Sequence, residues 1–170
     1  MRSIKRIIKI HEIKGYQIYC LFNNGESRII DFEQLWKQWN VQADDIEYPL
    51  TQSLETFQAV RVVEGTLTWN NIRIQSIDED GSPVTYPFDL DPIVLYEASM
   101  PDPSRVLEIG LMVRKARKEL GLTQAELAQR SGTSKHYISK LENNKSGIEL
   151  ATLVRIVEGG LGKSLELKIS

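Results

Sequence analysis

The sequence predicts two domains of different class. Residues 1–99 read as a small α+β domain, an antiparallel sheet with helices, and residues 105–170 as an all-α domain ending in a β-strand. A Pro-rich joint at 100–104 connects them. Three observations predict this division. From Met1 to Ser104 there are nine Lys+Arg against sixteen Asp+Glu, and from Arg105 to Ser170 twelve against seven. The whole-chain charge of −2 therefore hides an acidic half and a basic half. Every Trp and Phe, and every Tyr except Tyr137, lies before residue 100. The hydrophobic period changes as well, from two in "YQIYCLF" to a spacing of three and four beyond "MPDPS".

In the acidic half, Tyr16, Ile18, Cys20 and Phe22 alternate with Gln17, Tyr19 and Leu21. "NNGE" follows, and Asn-Gly favours the positive φ of a tight hairpin turn, so "SRIID" is the returning strand. In "DFEQLWKQWN" Phe32, Leu35, Trp36 and Trp39 fall at helical spacing behind Asp31, a capping residue. The two tryptophans form either an apolar stripe against the sheet or a ligand-stacking wall, and the stripe is the ordinary meaning of such spacing. Further strands are expected at "AVRVV", "TLTWNNIRIQSI" and "VTYPF", with "DEDGSP" as a turn. Asp91-Pro92 opens a last helix, "DPIVLYEAS".

The segments "LFNNGESRIIDFEQL", "LETFQAVRVVEGTLTW" and "DLDPIVLYEAS" resemble, in that order, a widespread bacterial domain family of unknown function. The resemblance covers about Ile4 to Ser99 and implies fold rather than activity. Members occur alone, beside small toxins, or fused to DNA-binding domains. Extra residues, about Arg73 to Thr85, depart from the usual short form.

Two prolines in "MPDPS" forbid a continuous helix, and the segment reads as a stiff joint. Val106, Ile109, Val113, Ala116 and Leu120 then mark one helix face, with Asp102-Pro103 at its start and Gly121 at its end. Thr123-Gln124-Ala125-Glu126 is a capping box. Gly132 supplies a turn and Ser134 caps a second helix anchored by Ile138 and Leu141. Lys135, His136, Ser139 and Lys140 are left to face outward, with Tyr137 beside them.

Two helices crossing through such a turn make a helix-turn-helix. From about Leu107 to Leu161 the chain resembles the repressor-like regulators named for xenobiotic response elements, with a lambda-repressor-like fold. "LTQAELA", "GTS" and "ISKLEN" carry the resemblance. It implies that Gln124 bonds a phosphate and braces the recognition helix. It implies that Ser134, Lys135 and His136 enter the major groove of double-stranded DNA, with Tyr137, Ser139 and Lys140 on the same helix. Asn143 and Lys145 would grip the backbone, and Arg117 and Glu142 would form a partly buried ion pair. Ser131 stands at a site usually apolar, and Asn144 where glycine is common. "KSLELKIS" alternates like a strand, an ending similar to the antitoxin branch of the family, where it contributes to dimer contacts.

The composition excludes other classes. Cys20 is the only cysteine and His11 and His136 the only histidines, so neither an internal disulfide nor a Cys/His zinc site is expected. His11 lacks a neighbouring nucleophile and acid, Cys20 reads as a buried thiol, and neither an enzyme nor a cofactor is expected. No apolar run approaches the roughly 18 residues of a membrane span, and a soluble cytoplasmic protein is expected. The leading expectation is a dimeric DNA-binding repressor whose N-terminal domain senses a ligand or partner. The alternative is an antitoxin that holds a toxin through that domain and represses its own operon.

Overall fold

The computed structural model describes residues 4–105, 107–144 and 147–168. The chain divides into two compact units, Met1–Val106 and Leu107–Ser170.

In the first unit, strands β1 (Ile7–Lys14), β2 (Gln17–Phe22) and β3 (Ser27–Asp31) form an antiparallel meander. The alternation in "YQIYCLF" places Ile18, Cys20 and Phe22 fully inside, and Gly25 takes φ 82° at the β2–β3 turn. Helix α1 (Phe32–Trp39) starts where Asp31 accepts the Gln34 amide at 3.1 Å. It buries Phe32, Leu35 and Trp36. Two five-residue helices follow, α2 (Tyr48–Gln52) and α3 (Leu54–Gln58), which the sequence reading passed over. A single turn is too short to display a period. Strands β4 (Arg61–Val63), β5 (Thr66–Ile77) and β6 (Pro83–Asp89) build a second antiparallel sheet. Helix α4 (Pro92–Ala98) is capped by Asp91, which accepts the Ile93 amide.

The aromatic residues unite these layers. Phe32, Trp36, Phe57 and Trp69 meet edge to face or tilted at 5.0–6.0 Å, the favoured geometry of ring quadrupoles. Trp69 Nε1 donates to the Phe57 carbonyl. Tryptophans Trp36 and Trp39 thus pack an apolar stripe on the core. Burial pushes the Cys20 thiol up to about 12, as expected for an inert buried cysteine.

The segment read as a joint, 100–104, begins in extended backbone. Met100–Pro101 forms a short strand, β7, on the outer edge of β3, pairing with Ile29 and Arg28. Arg28 fixes that end of the unit, donating to Ser99 Oγ and to the Ser99 carbonyl, both at 2.6 Å, and stacking on Tyr96. The Asp102 carboxylate accepts from both the amide and hydroxyl of Ser104. That local turn competes with helix initiation, so the next helix begins later than expected, at Ile109 rather than after Pro103. His11, with no nucleophile beside it in sequence, has Nε2 3.3 Å from Ser27 Oγ. Burial and the charges of Arg105 and Lys9 lower its pKa, against the charge of Asp102.

The second unit contains α5 (Ile109–Glu119), α6 (Gln124–Ser131), α7 (Lys135–Glu142) and α8 (Leu150–Val154), the last continued by a π turn over Arg155–Gly160. Val113, Leu127, Ala128, Ile138, Leu141, Leu153, Ile156 and Leu161 make its core. Val106, the first residue of the expected face, lies outside the described residues. Leu120, the last, is exposed at the C-cap, and Leu122 is buried instead. Ser131, at the site usually apolar, is buried with its hydroxyl bonded to the Leu127 carbonyl and to Thr133 Oγ1. Asn144 adopts φ 54°, which asparagine tolerates.

The expected C-terminal strand, Leu165 to Ile169, is not formed among the described residues. Leu165 to Lys168 form no ladder, Leu165 packs on the helical core, and Ile169 lies outside the described residues. An isolated strand has no partner for its backbone groups.

Candidate nucleic-acid interface

The site is built on α6, its turn and α7. The Thr123 hydroxyl accepts the Glu126 amide at 3.1 Å, and Glu126 Oε2 accepts the Thr123 amide at 2.7 Å. This reciprocal capping satisfies two amides that a helix start otherwise leaves open. Gly132, at φ 63°, closes α6 in the left-handed conformation, and the Thr133 amide returns to the Ala128 carbonyl. Ser134 then caps α7, its hydroxyl accepting the Tyr137 amide at 3.1 Å.

Helix α7 is held from behind by charge. Arg117 Nε donates to Glu142 Oε1 at 2.6 Å, and Arg117 Nη2 to Glu142 Oε2 at 2.8 Å. Arg117 Nη1 also donates to the Leu122 carbonyl, and Gln124 Nε2 to Glu142 Oε2 at 2.9 Å. The two charged side chains are 10% and 1% exposed. Burial alone pushes the Glu142 carboxyl up, but the hydrogen bonds from Arg117 and Gln124 and the arginine's charge outweigh it, holding the carboxyl below its ordinary value. The hydrogen bond to Glu142, offset in part by burial, raises the Arg117 pKa. One carboxylate therefore ties α5, the start of α6 and the end of α7 together.

Two glycines bring the helices close. A Cβ on Gly110 of α5 would stand 2.0 Å from the Leu141 carbonyl oxygen of α7. A Cβ on Gly160 would meet Leu127 Cδ1 at 2.6 Å. Neither contact was legible in the sequence, since a close crossing joins residues remote along the chain.

Ile138, Leu141 and Glu142 face inward, leaving Ser134, Lys135, His136 and Lys140 exposed and Ser139 partly so. Tyr137 is half-buried, its ring packed on the helical core. Burial and the nearby Glu149 raise its pKa. The Asn143 side-chain amide donates to the Ser139 carbonyl at 2.7 Å. Lys145 lies outside the described residues.

Residues 113–160 match the helix-turn-helix family. A restriction-modification controller protein, C.Esp1396I, is 33% identical over 34% of this chain and 74% of its own, with a TM-score of 0.32.

The chain belongs to the helix-turn-helix family through this segment.

A mutant of the same controller gives 32% identity over 34% of this chain and 73% of that one, with a TM-score of 0.33. The protein NE0471 from Nitrosomonas europaea is 14% identical over 89% of this chain and 84% of its own, with a TM-score of 0.37. A search of curated proteins found no match. The matched segment contains α6, its turn and α7, whose outward side carries Lys135, His136 and Lys140 exposed and Ser139 partly so, with Ser134 exposed at its N-cap. No helix among the described residues is long and apolar enough to cross a membrane.

Proposed function

We propose that the chain is a sequence-specific DNA-binding transcriptional regulator that reads the major groove with the exposed face of α7. The observation that carries this reading is the division of that helix. Its inner face is pinned by Ile138, Leu141 and the buried Arg117–Glu142 pair, while its outer face is polar and basic, with Lys135, His136 and Lys140 exposed. Lysine ammonium groups donate to guanine O6 and N7, and short polar side chains reach base edges. The Ser134 hydroxyl accepts its cap bond and keeps its own hydrogen to donate. Gln124, held on Glu142 by one N–H, retains a second for a phosphate.

A single helix-turn-helix contacts few base pairs, and two copies about 34 Å apart reading a near-palindrome supply the missing selectivity. The functional unit in this reading is a homodimer. The acidic first unit serves as a sensing or partner-binding domain, for which a cleft of about 470 Å³ beside Tyr16, Trp36 and Lys37 offers room.

Lys135→Ala is expected to cost about 1–3 kcal/mol on a selected duplex and much less on a random one. Fluorescence anisotropy on both duplexes measures this. Equal losses on the two would assign Lys135 to the phosphate backbone rather than to base reading.

A further inference from the structure

Strand β5 leaves an open backbone edge. β4 pairs only with Thr66 to Thr68, whereas β6 accompanies β5 out to Ile77. Beyond β4 the two strands form a ribbon with no third strand among the described residues.

One bond fixes which way its amides point. The Asp78 amide donates to the Ser82 carbonyl at 2.8 Å, one step beyond the Ile77–Pro83 pair. Hydrogen-bonded and non-bonded pairs alternate along an antiparallel ladder. Ser76–Val84 and Ile74–Tyr86 are thus the bonded pairs, and Arg73, Gln75 and Ile77 turn their backbone groups away from β6. The outward positions on β6 are Pro83, Thr85 and Pro87. Two prolines, which have no N–H, blunt that edge as edge strands commonly require. The β5 edge carries no such protection.

We propose that the β5 edge, Arg73 to Ile77, pairs antiparallel with the same edge of a second copy of the chain. The inference deepens the dimer reading above and rests on it for the second copy. Centred on Gln75, the register sets Gln75 opposite its own copy and Arg73 opposite the partner's Ile77. All three positions are outward-facing, so the pairs exchange roughly six hydrogen bonds. Charge selects a second copy over an arbitrary strand, because Arg73 ends beside the partner's Asp78-Glu79-Asp80 turn. The aliphatic stem of Arg73 covers the partner's Ile77, which is 75% exposed in the single chain. On the opposite face Ile74, Val84 and Tyr86 continue the face that carries the buried Ile72 and Phe88. The joined ribbons extend that apolar face across the two-fold axis.

Sedimentation of the full chain tests the register, with circular dichroism verifying that each variant folds. Ile77→Lys sets a lysine against the partner's Arg73 and is expected to weaken the dimer about tenfold or more, while Ile77→Glu keeps it. Gln75→Cys is expected to form a reducible cross-linked dimer, since paired Cα atoms about 5.5 Å apart suit a disulfide. Cys20 is buried and does not compete. A monomeric wild-type chain would overturn both this interface and the dimer reading. A dimer indifferent to Ile77→Lys and without the Gln75→Cys cross-link would overturn the β5 edge alone and leave the dimer reading standing.

Discussion

Glu142→Ala is expected to destabilise the second unit by about 3–5 kcal/mol, because it strands the Arg117 guanidinium in the core. Both side chains are nearly inaccessible, and the carboxylate receives three hydrogen bonds from two residues. The two units report separately. Every tryptophan lies in the first unit, whereas the second is helical. Thermal unfolding followed at 222 nm should shift strongly while the tryptophan fluorescence transition stays in place. An unmoved helical transition would mean the pair does not hold α7.

The same carboxylate sets a pH dependence. Its folded pKa lies below the ordinary 4.5, so the stability it contributes is complete above that value and is lost as pH falls through the folded pKa. Glu142→Gln removes the titration. Between about pH 5 and 3 the helical transition of the wild-type chain should fall more steeply than that of Glu142→Gln. Parallel slopes would place the acid sensitivity elsewhere.

Gly110→Ala has the second large expected effect. Alanine gains up to about 1 kcal/mol over glycine inside a helix, and Gly110 stands in the first turn of α5. Here the new Cβ would lie 2.0 Å from the Leu141 carbonyl oxygen and 2.6 Å from Asn144 Oδ1. A backbone carbonyl cannot swing aside, so α5 must move away from α7. Overpacking of this kind costs about 1–3 kcal/mol and at times more. A fall of roughly 10 °C in the helical unfolding midpoint is expected for a unit of this size. Gly160→Ala supplies the contrast, as its Cβ meets a rotatable leucine methyl and a serine Cβ, and it should cost less. A neutral or stabilising Gly110→Ala would show that the close crossing is not tight.

What the sequence disclosed was local. Asp31, Asp91, Thr123 with Glu126, and Ser134 each announce a helix start because the cap bond spans two or three residues. Gly25 and Gly132 announce turns through their positive φ. Strand β5 was expected at "TLTWNNIRIQSI", followed by the "DEDGSP" turn. The missed features are distant in sequence or brief. Pairing of Met100 with Ile29 joins residues across the whole first unit. The Asp102 turn displaces the start of α5 through bonds that Asp102-Pro103 read equally well as a helix entry. Leu120 and Leu122 exchange roles because the chain leaves the helix between them. Of the interface, the identity of the outward residues was legible, but Tyr137 lies partly in the core and Asn143 turns back on Ser139, arrangements that spacing alone does not decide.

Selection of duplexes from a random pool by the full chain tests the central reading most directly, run beside a Lys135→Ala, His136→Ala double variant. The reading predicts that the wild-type chain enriches a near-palindromic site, bound with a steep loss of affinity as salt rises, and that the variant loses or alters that site while its helical unfolding is unchanged. Enrichment of no sequence by the wild-type chain, or of the same site with the same affinity by the variant, would contradict it.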